Sequence, residues 1–134
     1  MSDENYSGNK PVLIVEDIAT NRDLFSLQLL HFGLATQHAK NGREAVELVQ
    51  ADPQAFSLIL MDLQMPVMDG ITAAQLIRQN EINTNRHMVI VALTANDAAG
   101  IQEQCLRAGM DDFVSKPVTL DKINNVLRKW LKDS

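Results

Sequence analysis

The feature that most constrains this chain is the regular alternation of short, continuous apolar runs with longer amphipathic stretches. Runs rich in β-branched residues occupy 11–15, 57–61, 88–93 and 113–114, and a weaker one lies at 35–39. Because they are apolar at nearly every position rather than every second one, they read as strands buried on both faces. The stretches between them read as helices. Leu24, Leu27 and Leu30/His31 recur at helical spacing over 21–31, which predicts an inward face, and the helix stops at Gly33. Asn41 followed by Glu44 forms a capping-box pattern for a second helix reaching about residue 49. Asp69 caps a third running to about 78, a fourth spans about 98–107 before Gly109, and Thr119 caps a fifth. The fifth carries Leu120, Ile123, Leu127, Trp130 and Leu131 on its apolar face.

Strands alternating with helices imply a parallel sheet covered on both sides. Five such units suit an open, doubly wound sheet, whereas a closed barrel needs about eight. The 134 residues are expected to hold a single domain over residues 10–132, preceded by a polar tail over 1–9. A net charge of −5 without a run of Lys or Arg argues against binding nucleic acid or an anionic membrane by charge. The lone Cys105 excludes an internal disulfide and suits a reducing cytosol, so a cytoplasmic location is expected. Its spacing from Ile101 places it on a buried helix face. His31, His38 and His87 are scattered without a metal-binding spacing, and Asp111 and Asp112 read as a solvated turn.

In open α/β sheets, ligands bind at the carboxyl ends of the strands, where strand order reverses. Glu16 and Asp17 follow the first strand, Asp62 the third, Thr94 the fourth, and Lys116-Pro117 the fifth. Each alone is an ordinary loop residue. Together they bring three carboxylates, a hydroxyl and an ammonium to one edge. Carboxylates so placed repel one another and call for a cation. Hard oxygen ligands select Mg²⁺ or Ca²⁺, and Mg²⁺ is preferred because it is commonly held by one or two carboxylates, waters and phosphate.

Four segments stand out in order: Val12-Leu13-Ile14-Val15-Glu16-Asp17, Met61-Asp62-Leu63-Gln64-Met65-Pro66-Val67-Met68-Asp69-Gly70, Leu93-Thr94-Ala95 and Gly109-Met110-Asp111-Asp112-Phe113-Val114-Ser115-Lys116-Pro117. Together they resemble the receiver domain of two-component response regulators. The resemblance covers about residues 10–131. It implies a flavodoxin-like, three-layer α/β fold, (βα)5, with a parallel five-stranded sheet of order 2-1-3-4-5. It further implies that Asp62 attacks the phosphorus of a partner's phosphohistidine. Asp17, Asp62 and the backbone carbonyl of Gln64 would ligate Mg²⁺, with Glu16 acting through water. Thr94 takes the place of the switch hydroxyl, Lys116 of the lysine that pairs with the phosphoryl group, and Phe113 of the switch aromatic. Gln64 and Asn96 fall where the family tunes hydrolysis of the phosphoaspartate, and the Lys116-Pro117 bond where it has a cis peptide.

The expected function is that of a phosphoacceptor signalling domain, catalysing only its own phosphorylation and dephosphorylation. Its implied partner is a histidine kinase or a histidine phosphotransfer protein, with the domain itself a monomer or weak dimer. Phrases such as Cys105-Leu106-Arg107-Ala108-Gly109-Met110 look most like receivers of hybrid sensor kinases, which favours the phosphotransfer protein. An aspartyl-nucleophile phosphatase would need a second Asp where this chain has Gln64. A flavin-binding domain would need a Gly-rich phosphate loop where it has Glu16-Asp17-Ile18-Ala19.

Overall fold

The side chains of each strand divide between two faces, and that division organises the molecule. A computed structural model describes residues 5–63, 68–95 and 99–131. Five strands and five helices alternate in it: β1 (Val12–Val15), α1 (Ala19–Leu30), β2 (Thr36–Ala39), α2 (Gly42–Ala51), β3 (Leu58–Asp62), α3 (Gly70–Glu81), β4 (Ile90–Thr94), α4 (Ala99–Arg107), β5 (Asp112–Ser115) and α5 (Leu120–Trp130). Among the described residues the strands form one parallel sheet of order β2-β1-β3-β4-β5. This is the expected flavodoxin-like arrangement.

Leu13 and Val15 of β1, Ile59 and Met61 of β3, and Ile90 and Ala92 of β4 point to one side. There they meet Ala45, Val46 and Val49 of α2, Ala73, Ala74 and Ile77 of α3, and Cys105 of α4. Val12, Ile14, Leu58, Leu60, Val91 and Leu93 point to the other, against Phe25 and Leu29 of α1 and Ile123, Val126 and Leu127 of α5. Both faces being covered explains why the strands are apolar without alternation.

Three helix starts form as the sequence predicts. Asn41 Oδ1 accepts from the Glu44 amide at 2.9 Å, Asp69 Oδ1 from Thr72 at 2.7 Å and Thr119 Oγ1 from Lys122 at 3.3 Å. Three other expectations need correction. Leu24, Leu27 and Leu30 do not face the sheet: they are 50%, 66% and 64% exposed, while Phe25 and Leu29 point inward. Helix α1 has two apolar sets at helical spacing, and spacing alone cannot choose between them.

The predicted polar tail contains an anchor. Tyr6 is wholly buried, its amide donates to the Phe32 carbonyl at 2.8 Å, and its ring meets Phe32 edge-on at 6.5 Å. One aromatic among polar residues has no periodicity to reveal it. Tyr6→Ala is therefore expected to cost about 3 kcal/mol of stability, measurable as a lowered urea midpoint with an unchanged slope.

Asp111 is likewise no solvated turn residue. It accepts from Arg78 Nη2 at 2.9 Å, the Ile90 amide at 2.8 Å and His87 Nε2 at 2.6 Å. Arg78 also donates to Glu81 at 2.7 Å and to the Gly109 carbonyl at 2.8 Å. The guanidinium lies against Gly109, whose φ of +96° and lack of Cβ allow the approach. This network ties α3 to the entry into β4 and β5, at the opposite end of the sheet from the acidic residues.

Candidate functional site

Strand β1 is flanked by β2 and β3, so strand order reverses at its carboxyl end. In register, Val15 lies beside Met61, and the chain then delivers Glu16 and Asp17 next to Asp62. Carboxylate oxygens of Glu16, Asp17 and Asp62 all lie within 4.8 Å of one another. Glu16 and Asp62 are buried, whereas Asp17 is exposed at the mouth. Thr94, also buried, ends β4 beside them. From β5, Lys116 brings its Nζ to 3.4 Å from Asp62 Oδ2 and 3.8 Å from Glu16 Oε1. The Lys116 amide donates to the Thr94 carbonyl at 2.8 Å, which extends the β4–β5 ladder as far as the site. The Lys116-Pro117 peptide is cis, as anticipated.

Five residues singled out in the sequence, Glu16, Asp17, Asp62, Thr94 and Lys116, thus sit at one edge. Phe113 does not join them. It lies within β5, opposite Ala92, half-buried against the α2–α4 side of the core. Gln64 and Asn96 lie outside the described residues.

The site also uses residues that the sequence reading passed over. Asn21 Nδ2 donates to Glu16 Oε1 at 2.9 Å, and the Asp17 amide to Glu16 Oε2 at 3.0 Å. Arg22 Nη1 donates to the Glu16 carbonyl at 2.8 Å. Both carboxylate oxygens of Glu16 are therefore engaged, one by Asn21 in the first turn of α1 and the other by the amide of its neighbour Asp17. The available signal was the pair's position, four and five residues past Asp17 at a helix start. At Gly70 a Cβ would stand 2.5 Å from the Asp62 carbonyl oxygen. A side chain at that position would push β3 and α3 apart beneath the acid.

Burial pushes the Glu16 carboxyl up from 4.5 to about 7, and hydrogen-bonding and charge interactions with Asp62 add to the effect. Crowded, partly buried oxygens of this kind suit a hard divalent cation, and one ammonium does not balance three carboxylates. The donor set fits Mg²⁺.

Residues 12–128 match the model of the response regulator receiver domain. The chain belongs to that family. Among its curated relatives are hybrid signal transduction histidine kinase B of Dictyostelium discoideum and two-component system protein A of Emericella nidulans. The first is 42% identical over 130 residues, covering 90% of this chain and 6% of the relative. The second is 42% identical over 123 residues, covering 90% and 17%. The chain spans only a small part of the length of the curated relatives it matches. Among solved structures, the receiver domain of the Arabidopsis thaliana histidine kinase CKI1, complexed with Mg²⁺, aligns with a TM-score of 0.85. It is 30% identical, over 96% of this chain and 95% of that one. The receiver domain of the Saccharomyces cerevisiae response regulator Ssk1, crystallised with the histidine phosphotransfer protein Ypd1, aligns with a TM-score of 0.82 at 34% identity. That match covers 91% of this chain and 89% of the other. No helix among the described residues is long and apolar enough to cross a membrane.

Proposed function

We propose that this receiver domain takes a phosphoryl group from a phosphohistidine onto Asp62, with Mg²⁺ held by Asp17, Asp62 and the carbonyl of Gln64 and steadied through water by Glu16. The observation that carries the reading is a buried Asp62 oxygen facing an ammonium at 3.4 Å inside a cluster of carboxylates. An Asp62 oxygen attacks phosphorus, the bond from phosphorus to the imidazole nitrogen breaks, and the imidazole regains a proton. A carboxylate is a competent nucleophile for this transfer, provided the charge of the arriving phosphoryl group is offset. Lys116 supplies one offset from within a partly desolvated site, where such help counts for several kcal/mol. Bound Mg²⁺ would supply the other by polarising the phosphoryl oxygens. Incubating the protein with acetyl phosphate and Mg²⁺ should add about 80 Da to its intact mass, one phosphoryl group. No gain by correctly folded protein, or a gain undiminished by excess chelator, would sink the reading.

The donor we favour is a histidine phosphotransfer protein, as in the yeast complex. A partner must reach Asp62 from the open edge of the sheet, and several large apolar side chains are exposed on the segment leading away from that edge. Ile18, 51% exposed, follows Asp17 directly, and Leu24, Leu27 and Leu30 continue along the outer side of α1. A phosphotransfer protein can cover these side chains while presenting its histidine to the acid. Leu24→Glu is expected to slow transfer from such a protein at least tenfold while changing stability by less than about 0.5 kcal/mol. Phosphorylation by acetyl phosphate, which needs no docking, should proceed at the wild-type rate.

Output is assigned to Thr94 and Phe113. A phosphoryl group on Asp62 offers Thr94 a strong acceptor, and the Phe113 ring, only half-buried, has room to change its packing. Phe113 has no hydroxyl, so its state is read through exposed apolar area. Phe113→Ala is expected to leave partner affinity insensitive to phosphorylation, as measured by titrating a labelled partner with and without acetyl phosphate.

A further inference from the structure

One basic side chain next to the site spends its charge on backbone. Lys122 is the third residue of α5, where a positive charge opposes the helix dipole, so helix stability does not favour a lysine there. Its Nζ donates to the Ser115 carbonyl at 2.9 Å, the Ser115 hydroxyl at 3.2 Å and the Pro117 carbonyl at 3.1 Å. An ammonium has three donors, and these three acceptors use them all. The two carbonyls lie on either side of Lys116. From the sheet side, Lys116 is held by its amide bond to the Thr94 carbonyl. Its backbone is thus fixed from two directions, and only its side chain reaches toward Asp62.

We propose that Lys122 is a positioning residue: its ammonium clamps the chain on both sides of Lys116 and so sets where the Lys116 ammonium stands. The inference rests on the phosphoacceptor reading given above. Without the clamp, the Ser115 and Pro117 carbonyls turn to water, the loop gains freedom, and Lys116 spends less time beside Asp62.

The test compares wild type with Lys122→Met, Lys122→Arg, Lys116→Met and the double variant Lys116→Met/Lys122→Met. Two quantities are read: the initial rate of labelling by acetyl phosphate, by intact mass, and Mg²⁺ affinity, by calorimetry. Lys122→Met should slow labelling about tenfold, short of the hundredfold that a full ångström of misplacement can cost. It should also tighten Mg²⁺ binding about two- to threefold, because an ammonium held close to Asp62 and Glu16 opposes a divalent cation. A merely structural role would loosen the site and weaken Mg²⁺ binding instead. Lys122→Arg should restore most of the rate, and adding Lys122→Met to Lys116→Met should change neither quantity further. Wild-type behaviour of Lys122→Met, or effects that add fully to those of Lys116→Met, would overturn the proposal. Wild-type labelling by Lys116→Met would instead overturn the role given to Lys116, and failure of the wild type to label would overturn the phosphoacceptor reading.

Discussion

Asp62→Asn protein incubated with acetyl phosphate and Mg²⁺ is expected to gain no mass, where the wild type gains about 80 Da. The amide is close to isosteric, so the pocket keeps its shape and loses only its nucleophile and one charge. Two consequences separate this from general damage. Asp62 is one of the influences that raise the Glu16 carboxyl, so its neutralisation removes a like-charge interaction within a buried cluster. The variant should therefore be at least as stable as the wild type in chelator, by urea denaturation. Its Mg²⁺ affinity should fall at the same time, since a proposed ligand has lost its charge. A variant that still gained the phosphoryl mass would place the acceptor elsewhere in the chain.

The second large effect concerns Glu16 and pH. Its carboxyl is raised from 4.5 to about 7 in the folded, cation-free protein, chiefly by burial. A raised value means that the folded state binds the proton more tightly than the unfolded chain does. This contribution to stability is complete below pH 4.5 and is lost as pH rises through about 7. In Glu16→Gln the titration is absent. The stability difference between variant and wild type in chelator should thus shift toward the variant by about 3 kcal/mol between pH 4.5 and pH 8. Saturating Mg²⁺ should reverse the shift, because the cation favours the ionised carboxylate. A difference that stayed constant across this range, by urea denaturation at each pH, would show that burial does not hold the proton on Glu16.

What the sequence discloses depends on whether the relevant partner is near in the chain. Asn41 and Glu44 lie three residues apart, and their hydrogen bond at 2.9 Å is legible as a capping pattern. The strands are legible because continuous apolarity has one economical explanation, a sheet covered twice. The acidic cluster is legible because the fold rule sends every strand's carboxyl end to the same edge. The inward face of α1 is not, since Phe25 and Leu29 compete with Leu24 and Leu27 on equal terms until the sheet is in place. Nor is Asp111, whose partners Arg78 and His87 come from 33 and 24 residues upstream. Asn21 and Arg22 show the same limit at short range. A polar pair opening a helix reads as solvated until Glu16 is known to be buried beneath it.

Among the described residues, the sheet divides the buried side chains into two groups, one on each face. Helix α1, with the exposed apolar side chains assigned to docking, draws its support from one group, through Phe25 and Leu29. Phe113, assigned to output, draws its support from the other, along with α4. Substitutions far apart on opposite faces of the sheet, with no shared partner, should combine nearly additively. For a signalling module this amounts to evolutionary independence. Under the proposed function, the face that meets the donor can change with little effect on the Phe113 side, while the strand ends that carry Asp62 must suit both.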